Sequence, residues 1–198
     1  MASVSYASSK DGDGGYGVQR DNCVGFHVAD FVAWNNRKWD MQAYYHAPDV
    51  VVEMYGKRTT TVDEHIDAMK EILVEYPDAR ILQHYPVVAE GEWTAVIGHY
   101  VPVEMNVSVC TIGRWRDGQL VEELLFTRRL ADGEPDPNAD AAVYASITSP
   151  DSRMLQAAAD VRPGWSCVVR GTQPNARSAT FTLIEDGKIA EQYTFAAV

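Results

Sequence analysis

From Cys23 onward the chain alternates between two hydrophobic periods. Val24, Val28, Phe31 and Asn35 fall at i, i+4, i+7 and i+11, one stripe of a helix that stays apolar until its last member. Trp39 to His46 predicts a second short helix, closed by the Pro48 that follows. Val50, Val51 and Val52 with Glu53, Met54 and Tyr55 make a β-branched run stopped by Gly56, the pattern of a buried strand. Thr61 with Glu64 three residues on is a capping box, and Ile66, Met69, Ile72 and Leu73 give the helix it opens an apolar face ending near Tyr76. From Ala79 the period becomes two. Four strands are expected, Arg80 to Ala89, Trp93 to Val103, Val107 to Arg116 and Leu120 to Arg128, the last two joined by an Asp117-Gly118 hairpin turn. Helix, helix, strand, helix and a four-stranded meander predict an α+β sheet with helices on one face.

Beyond the meander the pattern loosens. Ala131 to Asp140 carries two prolines, a glycine and four acids, the composition of a linker or long loop. Ser149 or Asp151 is placed to cap a short helix through Met154, Leu155 and Ala158. Two last strands, Trp165 to Gly171 and Ser178 to Phe195, contain a second Asp-Gly turn at Asp186-Gly187. The expected division is therefore a flexible leader (1–22), an α+β domain (23–130), a linker or loop (131–148) and a C-terminal helix and hairpin extension (149–198). That extension is too short for its own core, and packs on the same domain or on a partner subunit. Its sequence echoes the meander. Trp93-Thr-Ala-Val-Ile leads to Arg116-Asp-Gly-Gln-Leu-Val-Glu122 and Phe126, while Trp165-Ser-Cys-Val-Val leads to Glu185-Asp-Gly-Lys-Ile-Ala-Glu191 and Phe195. Two amphipathic hairpins with like turns and a partial internal duplication both account for this.

Composition narrows the partners. Of 198 residues, 17 are Lys or Arg and 28 Asp or Glu, a net charge of −11 that repels nucleic-acid phosphates and anionic lipid surfaces, so no nucleic acid and no membrane is expected as partner. A small uncharged or weakly polar molecule fits better. Three separated cysteines without a CxxC predict neither a disulfide framework nor a zinc site, and a reduced cytoplasmic setting is the expectation.

Ala33-Trp-Asn-Asn-Arg-Lys-Trp-Asp40, His46-Ala-Pro-Asp49 before the valine strand, and Arg114-Trp-Arg-Asp-Gly-Gln-Leu-Val-Glu122 together resemble the SnoaL-like branch of the nuclear transport factor 2-like superfamily. The resemblance covers about residues 24 to 128, with the motifs in order. It implies a cone-shaped α+β fold: a curved, mostly antiparallel sheet wrapped around helices, enclosing a deep apolar pocket. Polyketide cyclases, ketosteroid isomerases, scytalone dehydratases, epoxide hydrolases and dehydrochlorinases share that fold with non-catalytic adaptors, so fold alone does not settle function. Members commonly pair through the outer sheet face, which makes a homo-oligomer, dimer or trimer, the expectation here.

Proton transfer needs a group that changes protonation near neutral pH, which points to histidine. The candidate catalytic residues are His84, mid-strand in a Gln-His-Tyr run that resembles scytalone dehydratase-like sequences, with His99, Asn35 and Tyr55. Asn35 stands where many relatives place an Asp; it cannot be a base, but its amide can bind a substrate oxygen or cap its helix. His99 and Tyr100 alternate across one strand, so one of them can enter the pocket, and an inward His99 would pair with His84 as acid and base. Tyr55 can donate to a developing oxyanion. His27, Phe31, Trp34, Tyr100 and Thr111 are candidate pocket residues; Thr111 replaces the Asp that the resembled cyclases carry. No HxH, HxxxH or HExxH occurs, and the equal intervals of 19 between His27, His46, His65 and His84 span different elements, so no metal is expected. No nucleotide-binding motif or nucleophile elbow occurs, so no cofactor is expected either. The expected function is a cofactor-independent acid/base lyase, dehydratase or isomerase, retro-aldol cleavage included, on a small hydroxylated aromatic or polyketide-like substrate. The alternatives are a polyketide-type cyclase, or a non-catalytic binding or oligomerisation domain.

Overall fold

The third helix begins as its capping box predicts: the Thr61 side chain accepts from the Glu64 backbone N–H, and the Glu64 carboxylate accepts from the Thr60 N–H at 2.8 Å. The computed structural model describes residues 16–101, 108–131, 133–148, 164–172 and 175–196. Helix α1 (Tyr16–His27) continues without a break into a π-helical stretch (Val28–Trp34), and is followed by α2 (Trp39–Tyr45) and α3 (Val62–Glu75). The first sheet contains β1 (His46–Met54), β2 (Lys57–Thr59), β3 (Arg80–Glu90), β4 (Trp93–Val101), β5 (Ser108–Arg116) and β6 (Gln119–Phe126) in the order β2-β1-β6-β5-β4-β3. Only the β1–β6 pair in it is parallel. Bulges in the β1–β6, β3–β4 and β5–β6 pairings bend it. The fold is thus α+β, with helices on one face of a mixed sheet.

The two faces of this sheet belong to two different cores. On the inner face Phe26, Trp34, Ile66 and Met69 of the helices pack against Val52, Val87, Val96, Trp115 and Leu120. On the outer face Val88, Ile97, Cys110, Ile112, Leu124 and Phe126 pack against Ile147, Trp165, Cys167, Phe181 and Phe195. These last come from a second, wholly antiparallel sheet of β7 (Arg128–Arg129), β8 (Val143–Thr148), β9 (Trp165–Thr172), β10 (Asn175–Glu185) and β11 (Lys188–Ala196), ordered β7-β11-β10-β9-β8. The tail therefore packs on its own domain, and covers the face through which a homo-oligomer was expected to pair.

Several expectations need correction. The buried stripe of the first helix is Cys23, Phe26, Ala29, Ala33 and Trp34, whereas Val24 is exposed. The π-helical stretch, marked by the Asn35 N–H to Asp30 carbonyl bond, adds a residue to the turn and shifts the phase on which the predicted stripe depends. Helix α1 starts at Tyr16, inside the expected leader, and β8 lies inside the expected linker, where Tyr144, Ala145 and Ile147 turn inward. The expected helix through Met154 lies outside the described residues.

The second sheet repeats the first in detail. Each is a meander in which strands β3-β4-β5-β6 and β8-β9-β10-β11 follow one another as neighbours. Both Asp-Gly turns have positive φ at each central residue, as a type I′ turn requires. Trp93 pairs with the residue three before Asp117, and Trp165 with the residue three before Asp186. The bulge falls at the same place, Arg114↔Glu122 then Trp115↔Leu120, and Leu183↔Glu191 then Ile184↔Ile189. The likeness thus extends beyond the turn to register and bulge, in two amphipathic hairpins or a partial duplication alike.

Candidate active site

The inner core contains a cavity of about 30 Å³, room for about one water, whose share of liquid volume is about 30 Å³. Apolar walls come from Trp34, Met54, Met69, Ile72 and Leu125, and the polar atoms from Asp30, Gln42, Tyr55, His65, Thr111 and Glu123. Tyr55 is the one exposed lining residue, and marks the mouth.

Asp30 is placed by the π-helical stretch, which turns it off the solvent face and toward the sheet. Its Oδ2 accepts from His84 Nε2 at 2.8 Å, and the His84 side chain is 2% exposed. His84 lies behind Asp30, packed against Phe26, His27 and Phe31 with ring centroids 5.6, 5.0 and 4.5 Å away, and its Nδ1 is buried without a hydrogen-bond partner. The carboxylate faces the cavity and the imidazole backs it, so His84, an expected catalytic residue, does not itself line this cavity.

A second polar group lies deeper. His46 opens β1, His65 sits on the inner face of α3, and Glu123 projects inward from β6. His46 Nε2 is 3.4 Å and His65 Nε2 3.5 Å from the same oxygen, Glu123 Oε2, and side-chain exposures are 1%, 3% and 9%. His46 Nδ1 is 2.8 Å from the Gln42 carbonyl, a contact that places its proton on Nδ1. Burial opposes charging His46, yet the facing Glu123 carboxylate and the Gln42 carbonyl raise its pKa above the ordinary value. Burial, then the neighbouring His46, depresses His65 to about 3, so it is neutral at physiological pH. The four equally spaced histidines thus form two packed pairs, His27 with His84 and His46 with His65, with centroids 5.0 and 5.1 Å apart.

Of the remaining expected site residues, Tyr55, Trp34 and Thr111 line the cavity. Tyr55 occupies the first central position of a tight turn at φ 53°, before Gly56 at 74°. Desolvation and then the charge of Glu123 push its phenol up to about 12. Trp34 Nε1 and Gln42 Oε1 are buried there without hydrogen-bond partners. Asn35 does not reach the cavity: its Nδ2 donates to the Ile81 carbonyl and its Oδ1 accepts from the Ile81 N–H, each at 2.8 Å. Both ends of the amide are occupied by the backbone of β3. His99 is exposed, and opposes Gln83 while His84 opposes Gly98, so the two histidines lie on opposite faces and cannot act as a pair. His27 and Phe31 back His84 instead of lining the cavity. Tyr100 opposes Ile81 in β4, and its side chain lies outside the described residues.

Of the residues missed from sequence, Asp30 and His65 carried a signal. Phe26, Asp30 and Trp34 are spaced by four, as are His65 and Met69, with Ile72 three further on; a charged or titratable residue in each apolar stripe marks a polar group turned inward.

No family model matches the sequence, and no curated protein does. Solved structures do. A candidate ketosteroid isomerase from Kribbella flavida DSM 17836 is 18% identical with a TM-score of 0.45, over 67% of this chain and 92% of that one. A SnoaL-like protein of unknown function from Burkholderia thailandensis is 15% identical, TM-score 0.46, over 54% of this chain and 95% of its own. A candidate SnoaL-like polyketide cyclase from Jannaschia sp. CCS1 is 15% identical, TM-score 0.48, over 56% and 87%.

Proposed function

We propose that the cavity is the active site of a proton-transfer enzyme, a lyase, dehydratase or isomerase, acting on a small hydroxylated aromatic or polyketide-like substrate. The carrying observation is the Asp30–His84 pair, a half-buried carboxylate at the cavity wall held by a buried imidazole. Asp30 serves as general base, and His84 fixes its orientation. Tyr55, Thr111 and Trp34 Nε1 are the hydrogen-bonding groups around the substrate oxygens. Water loss, double-bond migration and retro-aldol cleavage share this first step. With room for about one water, the cavity must widen to admit such a molecule.

That narrowness favours a second reading, a non-catalytic binding or assembly domain. The two are separated by incubating the chain in D₂O with a panel of hydroxylated aromatic ketones and following α-proton exchange by NMR. Catalysed exchange that falls by about 10²–10⁴-fold in Asp30→Asn, with the fold retained, supports the enzyme. Wild-type protein that neither binds nor exchanges any member supports the assembly domain.

A further inference from the structure

We propose that His46, His65 and Glu123 form a binding site for one divalent transition-metal ion of the zinc type, at the inner wall of the cavity. The inference deepens the proposed function, and rests on it only for what the ion does; binding itself stands on the geometry alone.

The arrangement is poor as a hydrogen-bonded cluster. Two imidazole Nε2 atoms approach one carboxylate oxygen at 3.4 and 3.5 Å, beyond the roughly 2.7–2.9 Å of a charge-assisted hydrogen bond. It is good as a ligand set. Around a zinc-type ion about 2.0–2.2 Å from each donor, tetrahedral angles separate neighbouring donor atoms by about 3.3–3.5 Å. The donor atoms all lie within 4.8 Å of one another. An octahedral ion with similar bonds would need edges of about 3.0 Å, so the two edges to Glu123, at 3.4 and 3.5 Å, fit tetrahedral coordination.

The surroundings agree. All three residues are buried, and a carboxylate withdrawn from water is costly unless a cation or strong donors compensate it. His46 holds its Nδ1 proton on the Gln42 carbonyl at 2.8 Å, the backing that metal-bound histidines characteristically have, so an ion that displaces the Nε2 proton meets a lone pair facing Glu123. The donors come from a strand start, a helix and a neighbouring strand, β1 and β6 being hydrogen-bonded partners, so their spacing is fixed by packing and not by a sequence motif. Two imidazoles and one carboxylate leave a tetrahedral ion one position for water or substrate, the mark of a catalytic site and not a closed structural one. His65 and Glu123 line the cavity with Asp30, Tyr55 and Thr111, so that position opens toward the same space. A substrate carbonyl or hydroxyl oxygen bound there would be polarised while Asp30 takes the neighbouring proton.

The test uses the full chain, purified without a histidine tag and stripped with chelator. Co²⁺ is titrated in, and visible absorption, bound metal after equilibrium dialysis and melting temperature are recorded. One Co²⁺ per chain with the intense visible bands of tetrahedral cobalt, displaced by Zn²⁺ and not by Mg²⁺, is the expected result. Glu123→Gln and His65→Gln should each weaken binding by at least about 100-fold, since loss of mere outer-sphere partners already costs 10–100-fold. His99→Ala, on the opposite face, should bind as wild type. Wild-type chain that takes up no cobalt, or cobalt uptake unchanged in a folded Glu123→Gln, overturns the site. If neither ligand variant folds, the wild-type spectrum decides, because octahedral cobalt bands are weak. Proton exchange catalysed by the stripped chain would leave Asp30 as base and remove the ion from the reaction; cobalt binding without exchange by any form would keep the site and remove the reaction.

Discussion

The resembled family often places an Asp where this chain has Asn35, and replacing that one residue separates a structural role from a catalytic one. Strand β3 is the edge of the first sheet, and Ile81 is buried at 3% exposure. The Asn35 amide substitutes there for a neighbouring strand, giving the Ile81 N–H an acceptor and its carbonyl a donor, both at 2.8 Å. Asn35→Ala removes both. Each lost bond costs about 1 kcal/mol net, and leaving a buried backbone group unsatisfied brings the cost to about 1–3 kcal/mol, so the pair amounts to roughly 2–6 kcal/mol. At about 2–4 °C per kcal/mol for a chain of this size, melting falls by roughly 4–24 °C. Asn35→Asp, which introduces the residue common in the resembled sequences, keeps an acceptor for the Ile81 N–H but sets a carboxylate against the Ile81 carbonyl, and should destabilise at least as much. Urea unfolding followed by tryptophan fluorescence reads both variants. A loss below about 0.5 kcal/mol in either, the range of ordinary surface substitutions, would refute the clasp and return Asn35 to the list of groups available to a substrate.

Other consequences can be checked on the same instruments. Tyr55→Asn relieves a bulky residue from left-handed backbone at φ 53°; it should raise stability by about 0.5–1 kcal/mol in urea unfolding while lowering substrate exchange. Tyr144→Phe removes the 2.7 Å hydrogen bond by which the second sheet reaches the buried Glu122, and should cost about 1.5–3 kcal/mol, read as a lower urea midpoint at unchanged slope. Cys23, Cys110 and Cys167 are at most 2% exposed, and burial pushes the Cys110 and Cys167 thiols up. All three should resist a thiol reagent in native protein and react on unfolding; rapid labelling of the native chain would contradict the packing of both cores.

Local chemistry was legible where it is set by neighbours in sequence. The capping box at Thr61 and both Asp-Gly turns fall where their residues predict, because each motif satisfies its own backbone within a few positions. The inward groups were legible only in part, because their direction also depends on irregularities of the backbone. The π-helical stretch decides that Asp30 faces the sheet. In β6, simple alternation from the buried Leu120 would turn Glu122 inward; the bulge at Val121 reverses the phase, and Glu123 enters the cavity while Glu122 meets Arg114 and Tyr144 on the outer face. His46 and His65 lie in different elements and share no motif, and only packing of α3 over β1 brings them together. Register likewise separates His84 from His99, and alternation along single strands cannot supply it.

The second meander carries the same inversion without the buried carboxylate. The bulge that turns Glu123 inward recurs between Ile189 and Glu191 of β11, where the residue in the place of Glu123 is Gln192. Gln192 is exposed, with its amide on Thr182, and among the described residues no helix covers that face. The second meander keeps the turn, the register and the bulge, which are properties of the backbone, and has Gln192 in place of the carboxylate. Its apolar face, Cys167, Phe181 and Phe195, instead closes the outer side of the first sheet. A sheet packed on both faces is stiffer than one open to solvent on its outer side, and His46, His65 and Glu123 can hold spacings of 3.4 and 3.5 Å only if β1 and β6 are held to that tolerance. On this reading the second sheet acts on the site from behind, by fixing the strands that carry it.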